Sequence, residues 1–222
     1  MLKMEHKGNA TTRNDGMADL TLYTNPMSRG RVARWMIEET GQPYDTVIVP
    51  FGPAMKSDDY RAVNPMGKVP AVRHRDGVVT ECAAICAYLA DSFPEARLAP
   101  PNAQRGSYYR WLFFAAGPLE AAVSNRSLGF EVPDERRRMI GYGSFQDVMD
   151  TLEIAVSTNP FVAGQAFTAA DVYVGSHIAW GLQFGSIEKR PAFVEYLARV
   201  SDRPAFRCAR EKDDAAAAAM QP

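Results

Sequence analysis

The sequence predicts an α/β domain followed by an all-α domain, and three observations carry that reading. Short runs rich in β-branched residues occur only ahead of Pro100. A proline-rich stretch, Leu98-Ala99-Pro100-Pro101-Asn102, then interrupts the chain. Beyond it apolar residues recur at helical spacing, with no strand-like alternation. A chain of 222 residues has room for one large domain or two small ones with a substantial core. The expected organisation is a disordered leader over 1–16, an α/β domain over 17–95, a linker over 96–103 and an all-α domain over 104–222.

The leader is polar and lacks the apolar core of a secretory signal, and Met17 is a credible alternative start. Leu20 to Thr24 alternates aliphatic residues with Thr and Tyr and predicts a strand, broken by Asn25-Pro26-Met27-Ser28. From Arg29 to Thr40, Val32, Trp35 and Met36 fall at helical spacing, and Gly41 stops the helix. Tyr44 to Val49 predicts a second strand, parallel to the first through a right-handed βαβ crossover. A short helix is expected near Ser57 to Arg61, then two strands flanking Asp76-Gly77, then a helix from Glu81 to about Ser92. The order βαβ, irregular helix, ββα is that of a thioredoxin-like domain.

In the second half, Gln104 to Val123 predicts a helix with an aromatic face (Tyr108, Trp111, Phe113, Phe114) and a kink at Pro118. A second long helix is expected from Pro133 through Phe145 and Leu152 to Asn159-Pro160. Thr168 and Asp171 form a capping box opening a third, with Phe167 placed to staple it. Pro191 to Val200 and Pro204 to Ala219 supply two more.

Composition excludes several classes of function. Net charge is -1 and no basic run is interleaved with aromatics, so nucleic acid is not an expected partner. No apolar run approaches the roughly 20 residues of a membrane helix. The three cysteines, Cys82, Cys86 and Cys208, form no even framework and no Cys-x-x-Cys, which predicts reduced thiols in a cytoplasmic protein. His6, His74 and His177 lack ligand partners at useful spacing, so no metal site is expected.

The chemistry concentrates in Asn64-Pro65-Met66-Gly67-Lys68-Val69-Pro70-Ala71-Val72 and, shortly after, Thr80-Glu81-Cys82. Pro70 stands where a strand should run and cannot donate to a ladder. With a cis Val69-Pro70 bond, the Val69 N–H and C=O would be left to pair with a ligand backbone. Glu81 opens a helix whose free N–H groups favour a bound anion. Such a pairing edge beside an anion-binding helix end suits a small, extended, zwitterionic peptide.

The Gly-Lys-Val-Pro run followed by Glu, and the capping segment Gly164 to Asp171, resemble the cytosolic glutathione S-transferase family, bacterial type and serine-like class. The resemblance spans about Asp19 to Arg210. It implies a thioredoxin-like glutathione-binding domain joined to an all-helical bundle. Val69 and Pro70 would pair with the cysteinyl part of glutathione, while Glu81 and Cys82 would hold its γ-glutamyl end. The family usually has Ser where this chain has Cys82, and a thiol is the weaker donor. Lys68, set by the turn, and Lys56, where plant and bacterial relatives often carry a cation, would meet the glycyl end. A solvated loop charge is the plainer reading of Lys56.

Conjugation needs the glutathione thiol ionised near neutral pH. Lowering a thiol pKa of about 8.5 by roughly two units takes about 2.7 kcal/mol. A hydroxyl donor plus the first helix N-terminus would suffice, since hydrogen bonds to charged acceptors contribute roughly 1.5–3 kcal/mol. The family places the donor in the loop that here reads Tyr23-Thr24-Asn25-Pro26-Met27-Ser28-Arg29-Gly30-Arg31. Ser28 is the candidate, with helix capping as its alternative role and Asn25 as the alternative donor. Tyr23 is expected to pack, and Arg31 to form a structural ion pair.

The resemblance thus implies a glutathione transferase: glutathione as co-substrate, no metal, a small hydrophobic electrophile bound between the domains, and a C2 homodimer. Tyr108, Trp111, Phe114 and Trp180 are the aromatic candidates for that pocket. Three alternatives remain open: a non-catalytic glutathione-binding scaffold, a glutathione-dependent isomerase, or a peroxidase.

Overall fold

Leu20 and Leu22 are the buried faces of a short strand, β1 (Leu20–Thr24), at the centre of a mixed four-stranded sheet. The computed structural model describes residues 18–220, so the expected leader lies outside the described residues. The sheet order is β2-β1-β3-β4, with β2 (Asp45–Ile48), β3 (Ala71–His74) and β4 (Gly77–Thr80). β2 runs parallel to β1, whereas β3 is antiparallel to both β1 and β4.

The helix α1 (Gly30–Thr40) provides the crossover between β1 and β2. Gly41 ends it in the left-handed conformation at φ +68°, where a side chain would be strained. α1 and α3 (Cys82–Ser92) pack together, and Ile37, Ile85 and Leu89 join Leu20 and Leu22 in the main core. The short α2 (Asp58–Arg61) brings Tyr60 into a second cluster with Val49 and Met55, against which Tyr23 and Val69 pack.

The second half is helical. The helix expected over 104–123 is divided: α4 (Arg105–Phe114) passes into a π-helical segment, Ala115–Leu119, and then α5 (Glu120–Ser127). Pro118 lies inside that segment and has no N–H to donate, and the ladder widens there. The long helix expected from Pro133 does not form as one piece. A 3₁₀ segment, Asp134–Met139, precedes a glycine break, and α6 (Phe145–Thr158) starts afresh at its Ser144 cap. Gly143, at φ +72°, is the residue that lets the chain turn there.

α7 (Ala169–Phe184) runs through the middle of the bundle, flanked by α8 (Pro191–Ser201). Asp171 accepts from the Val162 N–H, the Tyr196 hydroxyl and both the N–H and hydroxyl of Thr168. That is the expected capping box, extended into a buried knot.

α9 (Pro204–Ala219) returns along α1. Arg203 grips Glu39, Phe206 packs edge-on to Trp35, Lys212 reaches Glu38, Asp213 meets Arg34 and Asp214 meets Arg31. The Arg34–Asp213 pair is buried, at 2.8 Å with side-chain exposures of 4% and 1%. Among the described residues, no helix is long and apolar enough to cross a membrane.

Candidate functional site

Strand register brings three separated segments to one end of the sheet. Tyr23 of β1 is level with Ala71 of β3, and Ala71 with Thr80 of β4. The loop leaving β1 (Asn25 to Arg29), the chain entering β3 (Val69-Pro70) and the chain leaving β4 (Glu81-Cys82) therefore converge. Cys82 makes the closure concrete, its thiol donating to the Arg29 carbonyl over 3.7 Å.

The Val69-Pro70 peptide bond is cis. Among the described residues, the Val69 N–H and C=O have no hydrogen-bond partner. The turn before them is tightly specified. The Lys68 carbonyl accepts from the Tyr60 hydroxyl (2.9 Å) and the Asn64 amide (2.8 Å), and Asn64 Oδ1 accepts from the Met66 N–H. Gly67 adopts φ +57°, and a Cβ there would stand 2.6 Å from the Met55 carbonyl oxygen.

Of the two lysines, Lys56 has its ammonium on the Met66 and Gly67 carbonyls at 3.0 and 2.7 Å, bracing that turn. One N–H of the ammonium is left for a ligand, since Lys carries three. Lys68 is exposed at the turn's outer edge.

Glu81 is a non-glycine residue at φ +67°, a conformation costing of order 1–3 kcal/mol that clusters at functional sites. Its side chain is exposed, and it occupies the cap position of α3. Cys82 follows, buried, with its thiol pushed up to about 12 by burial. Cys86 is fully buried and raised well above the ordinary thiol value by the same cause, so both remain neutral thiols.

The loop after β1 is built on Asn25, itself fully buried. Its amide donates to the Val49 carbonyl and its Oδ1 accepts from the Met27 N–H, so this side chain is committed to structure. Ser28 is half-buried at the entrance of α1. Its hydroxyl donates to the Asn25 carbonyl at 2.7 Å and accepts from the Gly30 N–H at 3.0 Å. The helix-capping role weighed from the sequence is thus present, and the hydroxyl proton must leave Asn25 to reach a ligand. Tyr23 packs on Tyr60, and its hydroxyl accepts from Arg73. Arg31 both forms its ion pair with Asp214 and donates to the Pro26 carbonyl at 2.6 Å, tying α9 to the loop.

Three residues that sequence reasoning missed complete this corner. Arg29 pairs with Glu120 at the start of α5, and the other Glu120 oxygen faces His177 Nε2 of α7 at 3.1 Å. The His177–Glu120 hydrogen bond, reinforced by Arg29, holds the carboxyl at about 2. Glu120 lies 91 positions from Arg29 and 57 from His177, so no local spacing announces the cluster.

The aromatic candidates divide. Tyr108 and Trp111 are buried core residues, while Phe114 and Trp180 are half-buried. Met27, on the loop, is 71% exposed. Among the described residues no group of three or more His, Cys, Asp or Glu side chains is placed to hold a metal ion.

A family signature described as "Glutathione S-transferase, N-terminal domain" matches residues 27–92, a span that holds Val69-Pro70, Glu81-Cys82 and the loop after β1 from Met27 onward. Over that span the chain matches the glutathione S-transferase family. It is 29% identical to the glutathione S-transferase GstA of Escherichia coli O157:H7, over 83% of this chain and 94% of that protein. Glutathione S-transferase 3 of Zea mays is also 29% identical, over 86% of this chain and 92% of the relative. Among solved structures, a glutathione transferase from Methylococcus capsulatus superposes with TM-score 0.73 at 27% identity, covering 88% of this chain and 98% of that one. A glutathione transferase homologue from Sulfitobacter, solved with bound glutathione, gives 0.70 at 25% identity, covering 88% and 99%. The thioredoxin-like domain followed by a helical domain is the architecture of this family.

Proposed function

We propose that this protein is a glutathione transferase that binds reduced glutathione across the end of its sheet, stabilises the thiolate and adds it to a small hydrophobic electrophile. The observation that carries the reading is the convergence of an unpaired Val69 backbone, the Glu81-capped end of α3 and the Asn25–Arg29 loop. In this reading the cysteinyl part of glutathione pairs with Val69 beside Pro70. Its γ-glutamyl end meets Glu81 and the N–H groups around Cys82, and its glycyl end meets Lys56 and Lys68.

Ser28 is the proposed hydroxyl donor to sulfur, on exchanging its bond to the Asn25 carbonyl for one to the ligand. The thiolate then attacks the electrophilic carbon, forming a C–S bond as the leaving group departs or the π bond opens. Met27 and the half-buried Phe114 are the apolar side chains that would meet such a substrate, one from each half of the chain. A C2 homodimer and a cytoplasmic location belong to the same reading by family likeness. The engaged hydroxyl of Ser28 favours one rival, a scaffold that binds glutathione without activating it.

The test is calorimetric titration with reduced glutathione, followed by conjugation kinetics with a chlorodinitrobenzene. Saturable binding with glutathione-dependent turnover is the expected result. Binding without turnover would leave the scaffold, and no binding would overturn both.

A further inference from the structure

Resting on that reading, we propose that Arg29, held in place by Glu120 and His177 of the helical half, is the cationic group that stabilises the bound glutathione thiolate. Four observations point there. Of the two polar side chains expected to serve, Asn25 is committed to structure, and Ser28 must first release the Asn25 carbonyl and carries no charge of its own. Arg29 sits at the cap position of α1, at the positive end of the helix dipole, which favours an anion. Its carbonyl receives the Cys82 thiol, which places its backbone beside the α3 end of the same site.

Its guanidinium is half exposed, with a side-chain exposure of 52%, and Glu120 is its sole partner among the described residues. A guanidinium carries five N–H groups, so most of them remain for a ligand.

The support behind Arg29 is built rather than incidental. The π-helical segment, Ala115–Leu119, leads directly into α5, whose first residue, Glu120, reaches across to the first loop. Glu120 accepts from the Ser124 hydroxyl as well, and His177 takes its second oxygen. The other ring nitrogen of His177 lies 3.0 Å from the Tyr173 carbonyl, and its ring stands edge-on to Tyr173 at 4.6 Å.

The charged and titratable groups facing this corner are Arg29, Glu81, Glu120 and His177, together with the Cys82 thiol and the Tyr173 hydroxyl. An opposite charge within roughly 4–6 Å lowers the pKa of an acid by about 1–3 units. Arg29 supplies that charge, and Glu120 acts as a positioning residue. Its own negative charge opposes the thiolate even as it orients the guanidinium.

That opposition gives a test in which the two residues move the same quantity in opposite directions. Glutathione affinity is measured by calorimetry, and the thiolate of bound glutathione is titrated by its ultraviolet absorbance, in wild type, Arg29→Gln, Arg29→Lys and Glu120→Gln. Wild type is expected to show a depressed thiol pKa. Arg29→Gln should raise it by at least about one unit, a roughly ten-fold smaller ionisation constant, with glutathione still bound. Arg29→Lys, which keeps the charge, should restore part of the shift.

Glu120→Gln, which keeps an acceptor for the guanidinium and deletes a negative charge, should lower the pKa further. An unshifted titration in Arg29→Gln overturns the proposal, as does a rise in Glu120→Gln equal to that in Arg29→Gln. Wild type binding glutathione with an undepressed pKa overturns this proposal together with thiolate stabilisation and leaves the glutathione-binding scaffold, and wild type failing to bind overturns the glutathione reading as well.

Discussion

The two sides of the site are held by different physics. On the Val69-Pro70 side, the turn is closed by residues four to eleven positions apart: Asn64 on Lys68, Tyr60 on Lys68 and Lys56 on Gly67. On the loop side, the anchors arrive from the far half of the chain: Glu120 on Arg29, Asp214 on Arg31 and Asp213 on Arg34. One side is a local backbone motif, while the other is an interface between the sheet domain and the helical bundle. Damage to the first should show in ligand affinity. Damage to the second should show in stability and in the ionisation of the thiol.

The largest effect is expected on the second side. Asp213→Ala leaves Arg34 buried without its carboxylate, and breaking a buried pair in this way costs about 3–5 kcal/mol. Among the described residues, Arg34 then keeps its hydrogen bonds to Tyr44 and Thr46. Urea unfolding measures the loss. Asp214→Ala removes the neighbouring pair to Arg31, whose carboxylate is exposed, and should cost under about 1 kcal/mol. Equal losses in the two variants would mean that burial does not set the strength of this interface.

Next comes Gly67→Ala on the first side. A side chain at φ +57° is strained by about 1–3 kcal/mol, and the new Cβ meets the Met55 carbonyl oxygen at 2.6 Å. The turn must shift, carrying Lys68 and Val69 with it. Glutathione affinity is expected to fall by about ten-fold, or roughly 1.4 kcal/mol, while the pKa of whatever glutathione still binds stays as in wild type. A changed pKa with unchanged affinity would break the proposed division between the two sides.

Acid should also reach the loop side through Glu120. Its carboxyl is held at about 2 in the fold against an ordinary value of 4.5, mainly by its hydrogen bond to His177. A carboxyl depressed in the folded state contributes stability that is present above its unfolded pKa and lost as pH falls through the folded one. The urea midpoint of wild type should therefore drop between pH 4.5 and about pH 2, and Glu120→Gln should flatten that fall. An identical acid limb in both proteins would remove Glu120 from the linkage.

The same division explains what could be read from the sequence alone. Strand alternation, the Gly41 stop, the Thr168–Asp171 box and the Gly-Lys-Val-Pro run are local patterns, and each element they predict is present. The helix boundaries missed were those set by backbone options that composition leaves open. The single helix expected over 104–123 is divided by a π-helical segment around Pro118, and the glycines around Tyr142 divide the helix that Pro133 was expected to start. The Arg29–Glu120–His177 cluster could not be read because its members meet only after the helical half docks. Lys56 shows the intermediate case: the family resemblance offered it as a cation near the ligand, but its bonds to the Met66 and Gly67 carbonyls could not be read from the sequence.

The smallest expected effect lies where the two sides touch, at Cys82. Its thiol, pushed up to about 12 by burial, is neutral at physiological pH and donates weakly to the Arg29 carbonyl over 3.7 Å. Cys82→Ser replaces a long C–S bond by a shorter C–O bond, so the hydroxyl falls short of that carbonyl. It is then available to the γ-glutamyl carboxylate of bound glutathione. A net hydrogen bond contributes about 1 kcal/mol, so affinity should tighten roughly five-fold. The thiolate pKa should not move, because no charge is gained or lost. If affinity falls instead, the thiol's contact with Arg29 is what keeps the α3 end and the loop in register, and Cys82 belongs to the structural side of the comparison.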